Sequence, residues 1–137
     1  MAGAMNSQPP HCGVSAWMRA WWLHYKNLSQ SANPTDQAAL HRSLCLLKTN
    51  LSPVQRQQYQ KYAYFEVTGG NTGKRYRIRH GSQSNVDLLD RRGWRIATFC
   101  FVPEGQLPAG DILLAQKLAL ELFETDALSV ANRRDAD

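Results

Sequence analysis

The sequence predicts an α+β fold: N-terminal helices, a four-stranded antiparallel β-meander, and a C-terminal helix packed on the sheet. Three observations carry this. Apolar residues recur at helical spacing as far as Tyr62, and from there the period changes to two. The alternating segments are separated by short turn-like stretches, GGNTG, GSQS and RRG, so consecutive strands pair with one another. A last apolar segment, ILLAQKLALELFE, returns to helical spacing behind the loop PEGQLPAG.

The elements follow in order. Residues 1–13 carry Pro9, Pro10 and Gly13 with few apolar groups and read as a tail, with Met5 a candidate native start. Residues 14–50 form an N-terminal helical segment. In it, Ser15 caps a helix over 15–28 with Trp17, Trp21, His24 and Leu28 on one stripe. Trp22 and Tyr25 widen that stripe and Leu23 interrupts the opposite, polar face, which marks all three as candidate partner-binding residues beyond ordinary core packing. Asn33 then caps a second helix, about 35–49, with Pro34 first and Leu40, Leu44, Leu47 and Leu51 as its core stripe.

The core domain is assigned to residues 51–132. Ser52, Pro53 and Gln55 form a capping box opening a short helix that ends near Tyr62. Strands are expected near 64–68, 74–80, 85–90 and 94–102, followed by a helix capped by Asp111. That helix has one narrow polar stripe, Gln116, Lys117, Glu121 and Glu124, so it needs cover on several sides. Leu113 and Leu120 are accordingly candidates for a homodimer contact, together with Leu23. Residues 133–137 read as a fraying tail.

Composition narrows the classes. A 137-residue chain with 43% hydrophobic and 20% charged residues can build its own core, which excludes wholesale disorder. No apolar run approaches the ~20 residues of a membrane span, and the N-terminus lacks a secretory pattern. Three scattered cysteines, Cys12, Cys45 and Cys100, fit a reducing cytoplasm. The net charge of +5 is unevenly placed. Residues 71–95 hold Lys74, Arg75, Arg77, Arg79, Arg91, Arg92 and Arg95 against Asp87 and Asp90, whereas residues 96–137 are net acidic. One face is therefore expected to meet a polyanionic or acidic partner.

EVTGGNTGKRYRIRHG, residues 66–81, carries the most suggestive chemistry. It is not a phosphate-binding P-loop: Thr68 stands where the first glycine belongs, Arg75 replaces the magnesium-binding hydroxyl, and a strand follows. Gly69, Gly70 and Gly73 read instead as positive-φ residues of a hairpin turn. Beyond the turn, alternation puts Arg75, Arg77 and Arg79 on one face, spaced roughly 7 Å apart as a rail for phosphates. Arg91, Arg92 and Arg95 lie one hairpin away, and Tyr62, Tyr64 or Trp94 offer stacking surfaces. The competing arrangement pairs the arginines with Glu66 and Asp87 across the strands, but two acids cannot neutralise six arginines. His41 and Cys45 form only half a zinc site, so no metal is expected. No nucleophile–base arrangement or paired carboxylates are present, so neither enzymatic activity nor a cofactor is expected.

At TGKRYRIRHG, NVDLLD, FCFVPEGQLPAGDILLAQKLALELFE and ALSVAN, the chain resembles small uncharacterised proteins of bacteria and their mobile elements, over about residues 51–132. That resemblance implies a recurring domain and no particular chemistry. The order of a four-stranded meander and a helix is also similar in topology to Pur-type and Whirly-type single-stranded nucleic-acid binders. The expected function is non-enzymatic nucleic-acid binding through Lys74 and the six arginines. The alternative is a protein-interaction module, a mobile-element accessory or inhibitor, docking through the basic face or the aromatic helix.

Overall fold

The computed structural model describes residues 34–81, 84–101 and 107–137; the expected tail, the helix over 15–28 with Trp22, Leu23 and Tyr25, and the Asn33 cap lie outside the described residues. Helix α1 (Pro34–Asn50) buries the stripe of Leu40, Leu44 and Leu47, continued by Leu51. Helix α2 (Pro53–Tyr62) opens with the expected capping box. The Ser52 hydroxyl accepts from the Gln55 amide at 3.2 Å, and the Gln55 side chain accepts from the Ser52 amide at 3.0 Å. It closes at Ala63, whose left-handed φ of 56° turns the chain into the sheet.

Strands β1 (Tyr64–Thr68), β2 (Arg75–Arg79), β3 (Val86–Leu89) and β4 (Arg95–Cys100) form the expected antiparallel meander. Alternation places Phe65, Val67, Tyr76, Ile78, Val86, Leu88, Ala97 and Phe99 on the inner face. There they pack with Leu47, Leu51, Tyr59 and two leucines of helix α3 (Ala109–Val130), Leu113 and Leu120.

The structure corrects the expectation of four strands and a fraying tail. Asn132–Asp135 forms a fifth strand, β5, antiparallel to β4 along Cys100↔Asn132 to Ala97↔Asp135. All four of its side chains are exposed, so it carries no hydrophobic alternation to read. Its backbone completes the ladder, and the Arg133 guanidinium lies 5.9 Å from the Phe99 ring centre while pairing with Asp135 at 2.7 Å.

Helix α3 departs from expectation in three ways. It begins before Asp111, which sits in the first turn rather than at the cap, where its charge suits the positive helix end. Its polar stripe faces inward: Gln116, Lys117 and Glu124 are buried, while Leu118, Leu122 and Phe123 are 43%, 62% and 61% exposed. Each inward polar group finds a partner. Gln116 exchanges amide hydrogen bonds with Asn85 (2.8 and 3.0 Å), and Lys117 pairs with Glu121 at 2.6 Å. Third, Leu113 and Leu120 are fully buried in the core of this chain, so they cannot serve as partner contacts.

Gly110 sets the spacing of α1 and α3. Its amide donates to the Ser43 hydroxyl at 3.2 Å, and a methyl group on it would stand 2.3 Å from the Ser43 carbonyl carbon. Gly110→Ala is expected to force the helices apart and cost about 2 kcal/mol of stability. A urea midpoint equal to that of the wild type would contradict this contact.

Candidate nucleic-acid interface

The turn between β1 and β2 does hold an anion, and the anion belongs to the chain itself. The Glu124 carboxylate, fully buried, accepts from the Asn71 amide (2.9 Å), the Thr72 amide (2.8 Å) and the Tyr76 hydroxyl (2.6 Å), and also from the Thr72 hydroxyl. Burial opposes its charge, but these hydrogen bonds outweigh burial and hold the carboxyl below its usual range. Burial first, and then the hydrogen bond and charge of Glu124, push the Tyr76 phenol well up, so it remains a donor.

This arrangement changes the roles of the glycines. Of the three glycines of this turn, Gly73 alone has a positive φ, 71°. Gly69 and Gly70 serve close approach instead: an added Cβ would stand 2.3 Å from the Glu124 carboxyl carbon or 2.1 Å from the Glu121 carbonyl oxygen. The helix also breaks its regularity here, at Phe123 (φ −137°, ψ 41°). Gly70 donates to the Leu120 carbonyl at 3.0 Å, and the Asn71 side chain accepts from the Thr125 amide at 3.1 Å. The turn is thus stitched into the helix at its kink, the kind of insertion that bends helices.

On the opposite, outer face, the three arginines of β2 have acidic partners across the strands. Arg75 and Arg77 share Glu66 (2.6 and 3.2 Å), and Arg79 grips Asp87 with two nitrogens (2.8 and 3.2 Å) while also donating to the Ser84 carbonyl. Two carboxylates engage three guanidinium groups because Glu66 sits between two of them and Asp87 takes the third bidentately. Arg77 further lies 4.5 Å from the Tyr64 ring centre, and Tyr64 stacks on Tyr62 at 5.3 Å. Burial raises the tendency of Glu66 to stay neutral, yet the hydrogen bonds and charges of Arg75 and Arg77 prevail and lower its pKa.

The remaining predicted cations gather elsewhere. In a meander the β1–β2 and β3–β4 turns lie at the same end of the sheet, and the register row Thr68↔Arg75↔Leu89↔Arg95 marks that end. Lys74, Arg91, Arg92 and Arg95 all stand there, exposed, and among the described residues none has an ion-pair partner. The local carboxylate, Asp90, is occupied by the Arg92 and Trp94 amides at 2.8 and 2.9 Å. Trp94 projects from the same turn, 71% exposed.

The other candidates contribute no site. Cys45 Sγ lies 3.6 Å from His41 Nε2, and among the described residues no group of three His, Cys, Asp or Glu could hold a metal. Among the same residues no helix is long and apolar enough to cross a membrane. Comparison with known protein families, curated proteins and solved structures finds no match to this chain.

Glu124→Ala leaves two amides and two hydroxyls without their acceptor and is expected to cost on the order of 3 kcal/mol, whereas Tyr76→Phe removes one donor and costs about 1 kcal/mol. Equal urea midpoints for the two variants would contradict this. Separately, burial pushes the His80 pKa down from its ordinary 6.5 to about 4. The folded state then binds fewer protons than the unfolded one between those values, so its contribution is complete above about 6.5 and is lost as pH falls to about 4. His80→Gln is expected to flatten the decline in denaturation midpoint across that window; an unchanged decline would rule out His80 as its source.

Proposed function

We propose that this chain is a non-enzymatic nucleic-acid-binding domain whose contact surface is the basic end of the sheet. One observation supports it above others: Lys74, Arg91, Arg92 and Arg95 converge from two adjacent turns and have no ion-pair partner among the described residues. Unpaired exposed cations retain their full charge for phosphates, while Arg75, Arg77 and Arg79 are engaged by Glu66 and Asp87 and build the sheet framework behind them. Binding of this kind is salt-sensitive and weakly selective in sequence, because phosphate contacts position without reading bases.

The test is fluorescence anisotropy of a labelled oligonucleotide across a salt series. Four phosphate contacts on a single strand give a slope of log K against log salt of about −3. Reversing Lys74, Arg91, Arg92 and Arg95 to Glu is expected to lower affinity on the order of 100-fold and flatten that slope. Substituting Arg79 with Gln, which breaks its pair with Asp87, is expected to affect stability more than affinity. Undiminished affinity in the fourfold reversal would overturn the assignment.

A second reading, a protein-interaction module, draws on a different observation: the exposed Leu118, Leu122 and Phe123 of α3. Co-purification separates the two. Absorbance at 260 nm that is removed by nuclease or high salt supports nucleic acid, whereas a stoichiometric protein that survives the wash supports the module.

A further inference from the structure

The β3–β4 hairpin has a feature that phosphate binding alone does not require. Tryptophan is on average highly buried, because its large ring carries a heavy cost of hydration. Trp94 is instead 71% exposed, and among the described residues its indole has no aromatic or cationic neighbour. Its backbone is held within the turn. Asp90 Oδ1 accepts from the Trp94 amide at 2.9 Å, the Asp90 amide donates to the Trp94 carbonyl at 2.9 Å, and Gly93 closes the turn with φ +85°.

The strand beyond the turn sharpens this. Leu88 pairs with Ala97 but Leu89 pairs with Arg95, so Ile96 is an extra residue in a β-bulge. Strict alternation would turn one residue of Trp94–Arg95–Ile96 inward; the bulge leaves all three exposed. An indole, a guanidinium and an apolar side chain are therefore all exposed at consecutive positions beside a braced turn, with Arg91 and Arg92 at its tip.

We propose that this hairpin binds single-stranded rather than duplex nucleic acid, stacking an unpaired base on Trp94 while Arg91, Arg92 and Arg95 hold the flanking phosphates. The inference rests on the nucleic-acid reading above and adds the form of the ligand. A duplex keeps its base faces stacked against one another, so a free indole face finds no counterpart there; an unpaired base supplies one, whatever its identity. Because the turn backbone is already ordered, little backbone freedom is lost when the ring stacks.

The experiment compares a labelled oligothymidylate of about 12 nucleotides with its duplex on complementary oligodeoxyadenylate, by anisotropy at one salt concentration. The full chain is used, as wild type, Trp94→Ala, and the triple variant Arg91→Ala, Arg92→Ala and Arg95→Ala. The wild type is expected to bind the single strand about 10-fold tighter than the duplex, and Trp94→Ala to lose about that factor on the single strand alone. Its salt slope should be unchanged, since no phosphate contact is removed. The triple variant should weaken both ligands and flatten the slope. Because Trp94 is exposed, a thermal melt coinciding with wild type will show that the variant is folded. Equal wild-type affinities, or a Trp94→Ala variant that binds the single strand as tightly as wild type, would overturn the inference while leaving the nucleic-acid reading standing. Failure of the wild type to bind either ligand would overturn both.

Discussion

A single buried carboxylate ties the last helix of this protein to the first turn of its sheet. Glu124 could not remain charged in the core without its donors, and the donors Asn71, Thr72 and Tyr76 reach it only because Gly69 and Gly70 let the turn press against the helix. The same contact accounts for the irregularity at Phe123, where backbone groups of the helix are answered by Gly70 and Asn71 of the turn. It also fixes where Lys74 emerges, one residue beyond the turn. Helix, turn and the basic end of the sheet are parts of one arrangement.

Charge on the sheet is divided by the same logic of partners. Salt bridges at a protein surface contribute little to stability, but they decide which cations remain available. Glu66 and Asp87 occupy the three arginines of β2 and convert a row of like charges into a cross-strand lattice. The lattice leaves the excess positive charge at one end, on the residues of the two turns. A chain with a modest net charge thus acquires a concentrated one locally, beside an exposed tryptophan.

Local signals in the sequence were enough to read most elements, because they are set by near neighbours. The leucine stripe of α1, the capping box of α2 and the alternation and turns of β1 to β4 all depend on residues within a few positions of one another. The site was harder to read for the opposite reason. Glu124 meets its donors across 48 to 53 residues of sequence, so nothing near the polar stripe of α3 marked it as facing inward. Strand β5 is held by its backbone at an edge, and NRRD carries no apolar pattern. Counting two acids against six arginines predicted a surplus but not its place: one shared and one bidentate carboxylate pair with the three arginines of β2, and Arg91, Arg92 and Arg95 have no ion-pair partner among the described residues. The exposure of both Arg95 and Ile96 depends on a bulge that no spacing rule announces.

The binding surface we propose is the end of the sheet and not its outer face. Backbone amide shifts followed by NMR during titration with a single-stranded oligonucleotide test it most directly. The shifts are expected to concentrate at Lys74 and at Arg91, Arg92, Trp94 and Arg95, with Arg77 and Arg79 largely unmoved. Shifts centred on Arg77 and Arg79, or on Leu118, Leu122 and Phe123 of α3, would contradict it.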